Sequence, residues 1–204
     1  MPCAESGCAA FLEVLMNMKT RTLVECSAMI ALATVLSFIK IDMPLGGGVT
    51  LCSMLPLVLI ARRHGTAVGL ITAFVHGLIQ MLIGLDNVQY ATSLFMAFGI
   101  IVCDYIAAYA VIGLSSVFAK GKHAETKPLI VGMVLSMGLR LLFHFISGWW
   151  IWEALWPNEF GMIAPLWSFV YNAGYMIPEI VLTCVAAWLI NTKTKLLDRI
   201  NEGD

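Results

Sequence analysis

Stretches of about 20 apolar residues recur along this chain, and each is long enough to cross a lipid bilayer as a helix. Of the 204 residues, 60% are hydrophobic and only 12% are charged, which is far from the balance of a soluble domain. A backbone in lipid must satisfy its own hydrogen bonds, and a helix does so within one segment. The sequence therefore predicts an all-α integral membrane protein, with lipid and no nucleic acid as its surroundings.

The apolar stretches, separated by turn residues, predict a bundle of six transmembrane helices. We expect them at residues 23–39, 50–61, 66–84, 91–118, 128–152 and 162–190. The second is short and contains Pro56. The segment between the first two, Lys40 to Gly48, is too rich in Gly and Pro to stay helical and is predicted to be a loop. Residues 18–195 would form the membrane domain and residues 196–204 a tail.

The first 17 residues contain two Glu and neither Lys nor Arg, so they lack the positive region of a signal peptide. We expect residues 1–17 to be a disordered tail or a mis-assigned start. If successive helices cross the membrane in opposite directions, ten of the twelve Lys and Arg lie on one side of it. The positive-inside rule then predicts a multi-pass plasma-membrane protein with both termini in the cytoplasm.

One apolar stretch, RLLFHFISGWWIW from Arg140 to Trp152, carries an unusual set of polar and aromatic side chains. On an α-helix, His144, Gly148 and Trp152 recur every four residues and line one face. Gly148 would leave a gap between an imidazole and an indole, into which a flat aromatic ligand could fit. A buried packing face with an interfacial tryptophan belt explains the same spacing.

Several other polar residues lie inside predicted spans, where a charge costs roughly 2.5–3.5 kcal/mol and usually has a function. Asp104 is near the middle of the fourth helix, and its alternative role is a helix–helix bond to Arg140. Glu179 follows Pro178 in the sixth helix, and Asn172 lies two turns before it. A carboxylate, an imidazole, an amide and aromatic rings together suit a small cationic or polar aromatic molecule. The same groups could form a proton relay.

The runs RLLFHFISGWWIWEALWP and APLWSFVYNAGYMIPE resemble the thiamine-specific S component of energy-coupling factor (ECF) vitamin transporters. The stretches ALATVLSFI, PLGGGVTLCSMLPLVLIARRHG and DYIAAYAVIGL agree in order. The resemblance covers about Met18 to Ile190. Some members have Glu where Asp104 stands and Tyr where Trp167 stands.

This resemblance implies a high-affinity thiamine-binding subunit that is not an enzyme and carries no cofactor or metal. It would capture thiamine outside the cell and dock on a transmembrane coupling protein with two ATPase subunits. The family's substrate-binding positions fall on seven residues: Asp104, Tyr105, His144, Gly148, Trp152, Trp167 and Asn172. Its docking face falls on small residues of the first helix, Ser27 and Ala31.

Three alternatives are weighed against this interpretation. A stand-alone proton-coupled transporter could use Asp104, His144 and Glu179 as a relay, although the chain is short and shows no inverted repeat. An S component for the neutral precursor hydroxymethylpyrimidine would share most of the site. An intramembrane serine protease would need a His on the last helix, and no His follows His144. A Walker A motif is absent from the sequence, so a partner would hydrolyse the ATP.

Overall fold

The computed structural model describes residues 20–43, 47–121, 125–194 and 196–198. The predicted tail at residues 1–17 lies outside the described residues, as does most of the predicted tail at 196–204. The elements follow in chain order: α1 (Thr20–Phe38), β1 (Lys40–Asp42), β2 (Gly48–Thr50), α2 (Leu55–His64), α3 (Thr66–Ile83), α4 (Leu85–Gln89), α5 (Leu94–Ser116), α6 (Thr126–Leu155) and α7 (Ala164–Lys193).

Five of these helices, α1, α3, α5, α6 and α7, are long and apolar enough to cross a membrane. The prediction of an all-α membrane protein is confirmed apart from one short hairpin. The hairpin lies in the segment predicted to be a loop, where Lys40 pairs with Thr50 and Asp42 pairs with Gly48 in antiparallel register.

The second predicted helix, at residues 50–61, is displaced in the structure. It is α2, which begins at Leu55 and ends at His64, and its ten residues are about half of what a span requires. Pro56 lies in its first turn, where a missing N–H costs no helical hydrogen bond. Residues 48–50 form a strand instead, so an extended segment leads into the short helix.

Side-chain contacts bring several helix ends together. Arg63, at the end of α2, forms an ion pair with Glu25 near the start of α1, with Nε and Oε1 2.6 Å apart. Arg63 also donates to the carbonyl of Leu196, beyond α7, and Arg62 donates to the carbonyl of Gly121, beyond α5. The start of α1 and the ends of α2, α5 and α7 therefore lie at one end of the bundle, named the basic end below.

The hairpin packs on α7 at a distance from the basic end. Gly47 adopts a left-handed conformation with φ of 67°, and it lies against the ring of Tyr175. A Cβ at this position would be 2.4 Å from a ring carbon. Only glycine allows both the backbone angle and this close approach.

The core is formed by apolar side chains from α2, α3, α5, α6 and α7, including Leu57, Met133, Met137 and Ala187. In contrast, α1 buries only Cys26 and Ala33 among its 19 residues. The small residues Ser27 and Ala31 are exposed on the outward side of α1. These two residues therefore do not pack inside the bundle.

Candidate functional site

Two of the long helices widen into π-helical turns at the positions where the sequence predicts site residues. In α5 the π-helical segment is Ile101–Ile106, and in α6 it is Gly148–Trp152. A π-helical turn bonds i to i+5 and holds an extra residue, and it is frequent at functional sites. These turns direct the side chains of Asp104 and Trp152 toward each other.

The Asp104 carboxylate is held by three side chains of α6 and is only 9% exposed. Its Oδ2 accepts hydrogen bonds from the Ser147 hydroxyl and from the Trp152 indole N–H, both at 2.8 Å. Its Oδ1 lies 3.2 Å from Nδ1 of His144. Ser147 and Trp152 are neutral donors, so among these partners only His144 can carry a positive charge. The arrangement provides a buried negative charge beside an aromatic ring.

The second nitrogen of His144 points into the protein without a hydrogen bond. Its Nε2 is buried and has no partner among the described side chains and backbone groups. Buried polar atoms usually find a partner, so this nitrogen is available to donate to or accept from a bound molecule. Its role in either case depends on which ring nitrogen carries the proton.

The alternative pairing of Asp104 with Arg140 is wrong. Arg140 Nη1 instead lies 2.7 Å from Oε2 of Glu179, and its guanidinium lies over the ring of Tyr109, 4.9 Å from the ring centre. Arg140 and Glu179 are both buried. Among the described residues, the two buried carboxylates therefore have separate partners, and of these two only Asp104 lacks a guanidinium.

The other Glu179 oxygen faces the segment that leads from the hairpin to α2. The hydroxyls of Thr50 and Ser53 both contact Oε1 of Glu179, and they lie 2.6 Å from each other. The ion pair thus joins α6 and α7 to the hairpin.

Gly148 marks a close approach of α6 to α7. A Cβ there would lie 2.3 Å from the Ser168 hydroxyl oxygen and 3.0 Å from Nδ2 of Asn172. The gap that the sequence suggested at this position is therefore occupied by α7 and is not open to a flat ring. Asn172 Nδ2 donates to the Ser168 carbonyl at 2.9 Å and to the His144 carbonyl at 3.3 Å.

Aromatic rings extend along α7 from Trp167. Trp167 stacks on Phe160, with ring centres 4.9 Å apart and planes at 23°, and it contacts Tyr171 at 5.9 Å. Tyr175 donates from its hydroxyl to Oδ1 of Asn172 at 2.8 Å. Tyr171 in turn contacts Tyr175, so a row of rings joins Trp167 to Asn172. The hydrogen bonds of Asn172 go to Ser168, His144 and Tyr175 and not to Asp104.

The hydroxyl of Tyr105 also lies away from the Asp104 carboxylate. It donates to the carbonyl of Gly84 at 3.0 Å and accepts from Asn87 Nδ2 at 2.8 Å. It therefore anchors the end of α3, while Asp104 beside it faces α6. Ser147, which bonds Asp104, was missed by the sequence analysis because a serine on an apolar helix resembles any small packing residue.

Comparisons with known proteins agree with one another. The family model described as thiamine transporter protein matches residues 23–198. The chain is 33% identical over 182 residues to the thiamine transporter ThiT of Bacillus subtilis (strain 168), and the match covers 82% of this chain and 88% of that protein. The structure of ThiT from Listeria monocytogenes has the same fold, with a TM-score of 0.73 and 24% identity, over 88% of this chain and 97% of that one.

Proposed function

Because the chain belongs to the thiamine transporter protein family, we propose that it is the thiamine-binding S component of an ECF-type ATP-dependent importer. It is a multi-pass plasma-membrane protein and a non-enzymatic one. In this proposal it captures thiamine from outside the cell and then docks on a transmembrane coupling protein with two ATPase subunits.

The observation that carries the ligand assignment is the Asp104 carboxylate, buried between α5 and α6 and bonded to Trp152. The thiazolium of thiamine is permanently cationic, so it supplies the positive charge that Asp104 lacks in its own surroundings. A buried charge is stabilised by pairing, and an indole face adds cation–π attraction of about 0.5–2 kcal/mol. Anionic vitamins would be repelled at the same place.

The remaining contacts are assigned by what each side chain offers. The free Nε2 of His144 suits a donor or acceptor of the aminopyrimidine. Asn172 already donates to two carbonyls and accepts from Tyr175, so in this assignment it offers the second lone pair of Oδ1. Trp167 provides a ring for stacking in this assignment. Gly148 contributes by letting α7 approach, and Tyr105 by fixing the π-helical turn that carries Asp104.

We also propose that the chain crosses the membrane six times and that both termini are cytoplasmic. The five long helices count as one crossing each, and α2 with the extended segment before it makes the sixth. This count is supported by the contacts at the basic end, because an odd number of crossings between Glu25 and Leu196 would separate them. Positive charge at the basic end, including Arg62 and Arg63, supports a cytoplasmic location for it.

The outward face of α1 is the proposed docking surface for the coupling protein. Ser27 and Ala31 lie four residues apart and are both exposed, so they form a low surface that lets a partner helix approach closely. The family resemblance assigns the same role to this face.

The ligand assignment is tested by titrating the purified protein in detergent with thiamine while recording tryptophan fluorescence. We expect quenching to saturate, since Trp152 would lie against the ligand. Trp152→Ala should weaken binding at least tenfold, which is about 1.4 kcal/mol. Trp188→Ala is the matched control, because Trp188 is 49% exposed on α7 and outside the site. Equal affinity in Trp152→Ala and the control would remove Trp152 from the site.

A stand-alone proton-coupled transporter is less well supported. The proposed relay would need Glu179 to exchange protons with His144 and Asp104. Glu179 is instead paired with Arg140 and with the hydroxyls of Thr50 and Ser53, so its oxygens are engaged away from His144 and Asp104.

A further inference from the structure

We propose that Trp156 and Tyr90 form an outer docking site, at which an organic heteroaromatic cation binds transiently before it reaches Asp104. This inference rests on the proposed function, because it assumes that such a cation is the ligand. It adds a second site at the exposed end of a row of aromatic rings. At its buried end, the row meets the Asp104 carboxylate through Trp152.

The rings of three residues form a continuous surface. Trp152 donates to Asp104 and stacks on Trp156, with ring centres 5.6 Å apart and planes only 14° from parallel. Tyr90 meets Trp156 edge-on, with ring centres 4.8 Å apart and planes at 79°. Trp156 and Tyr90 are each 52% exposed, so the row leads from the buried carboxylate to the surface.

The backbone holds Trp156 in this position. Trp156 directly follows the last residue of α6. Its φ of −136° and ψ of 88° are outside the helical region, yet its N–H still donates to the carbonyl of Trp152. The turn therefore places one indole over the other. A tryptophan that only anchors the protein at the lipid surface needs no parallel stacking on a second one, so the membrane-belt explanation leaves this geometry unexplained.

The charges near this row are negative. Asp86 lies one turn before Tyr90 and is exposed. Glu153 lies one turn before Trp156; its Oε1 accepts from Asn158, whereas its Oε2 is buried without a hydrogen bond among the described residues. The sequence contains neither Lys nor Arg between residues 64 and 119 or between residues 141 and 192. A cation is therefore attracted to the negatively charged surface around Tyr90 and Trp156, where ring faces are exposed.

The kinetics of binding distinguish this site from the final one. If Trp156 still contacts the cation in the transition state between the outer site and Asp104, but not in the fully bound state, its removal raises the barrier for association and for dissociation by the same amount. The association and dissociation rate constants then fall by the same factor, and the dissociation constant does not change. A ring that contacts the fully bound ligand would instead change the dissociation constant.

The test is stopped-flow fluorescence with thiamine as the probe, on the full chain in detergent. Trp156→Ala should lower both rate constants about fivefold, the size expected from losing one cation–π contact. Trp156→Phe, which keeps a ring, should recover part of the loss. Trp150→Ala is the matched control, since Trp150 is 63% exposed on the same helix and outside the row, and it should bind as the unmodified protein does.

Two results would overturn the outer site. One is an association rate in Trp156→Ala equal to that of the Trp150→Ala control. The other is a dissociation constant that weakens along with the slower association, because Trp156 would then be a wall of the final site. Failure of the unmodified protein to bind thiamine is a different result, and it would reject the proposed function itself.

Discussion

Two carboxylates lie buried among the helices in the part of the chain that the structure describes, and their partners give them different roles. Glu179 is paired with the guanidinium of Arg140, so its charge is already balanced within the protein. Asp104 is bonded by Ser147, Trp152 and His144, which are neutral donors except for the histidine when it is protonated. The charge available to a cationic ligand is therefore that of Asp104, and Arg140 with Glu179 serves to hold α6, α7 and the hairpin in place.

A pair of substitutions tests that supporting role. Arg140→Met should lower the free energy of unfolding by about 3–5 kcal/mol, because it leaves Glu179 buried without its partner. Glu179→Met should lower the free energy of unfolding by a similar amount. The double variant Arg140→Met with Glu179→Met should be more stable than either single variant. Melting temperatures in detergent measure this order. A double variant that loses as much as the two single variants together would show that the two residues act independently.

At the residue scale the sequence predicted the polar groups better than their pairing. Asp104, His144 and Trp152 were named together, and the structure brings them into contact. The sequence leaves the partner of Arg140 open, because Asp104 and Glu179 carry the same charge on neighbouring helices, and the structure pairs Arg140 with Glu179. The substrate-binding roles of all seven residues stay a prediction.

At the element scale, the contact between α6 and α7 depends on one residue without a side chain. Gly148→Ala should separate the two helices and cost about 1–3 kcal/mol of stability, because its Cβ would lie 2.3 Å from the Ser168 hydroxyl. Adding Ser168→Ala, which removes that hydroxyl, should restore part of the loss. Thermal unfolding of the three variants measures the effect.

Gly138→Ala is the matched control for this prediction. Gly138 lies on the same helix, and a Cβ there would meet no atom within 4 Å, so alanine should be neutral or slightly stabilising through its helix propensity. Equal losses for Gly148→Ala and Gly138→Ala would contradict the close-approach explanation.

The long helices could be predicted from hydropathy, since their apolar length alone identifies them. The two π-helical turns could not, because one inserted residue leaves the apolar pattern almost unchanged. As a result, the regular spacing of His144, Gly148 and Trp152 predicted one ligand-facing row, and the structure instead gives a helix contact at Gly148. The start of α2 was also misplaced, because Thr50 and Leu51 are as compatible with a strand as with a helix.

At the scale of the whole molecule, a substitution on the exposed face of α1 should affect transport without affecting thiamine binding. Ala31→Trp should leave thiamine binding and thermal stability nearly unchanged, because Ala31 is exposed. It should abolish ATP-dependent thiamine uptake and co-purification of the coupling subunits, since a bulky side chain prevents close helix approach. Val185→Trp, on an exposed part of α7, is the control. Undiminished uptake in Ala31→Trp would reject this docking surface.

The family itself was identifiable from the sequence, and the family match over residues 23–198 confirms it. The segments around HFISG and YNAGYMIPE carried that identification because they combine several polar and aromatic residues in apolar surroundings. The number of crossings depends on whether the short α2 counts as one. The side that the termini face depends on charges at the helix ends, and part of that charge, including Lys19 and Lys122, lies outside the described residues. These two features therefore stay predictions.

The central claim is that Asp104 provides the negative charge for a cationic ligand, and isothermal titration of Asp104→Asn tests it most directly. Asparagine keeps the size and an acceptor oxygen for Ser147 and Trp152, so the substitution removes mainly the charge. We expect thiamine to bind at least tenfold more weakly to the variant, about 1.4 kcal/mol, and neutral hydroxymethylpyrimidine to bind with nearly unchanged affinity. Equal weakening of both ligands, accompanied by a lower melting temperature, would contradict the claim and make Asp104 a structural residue.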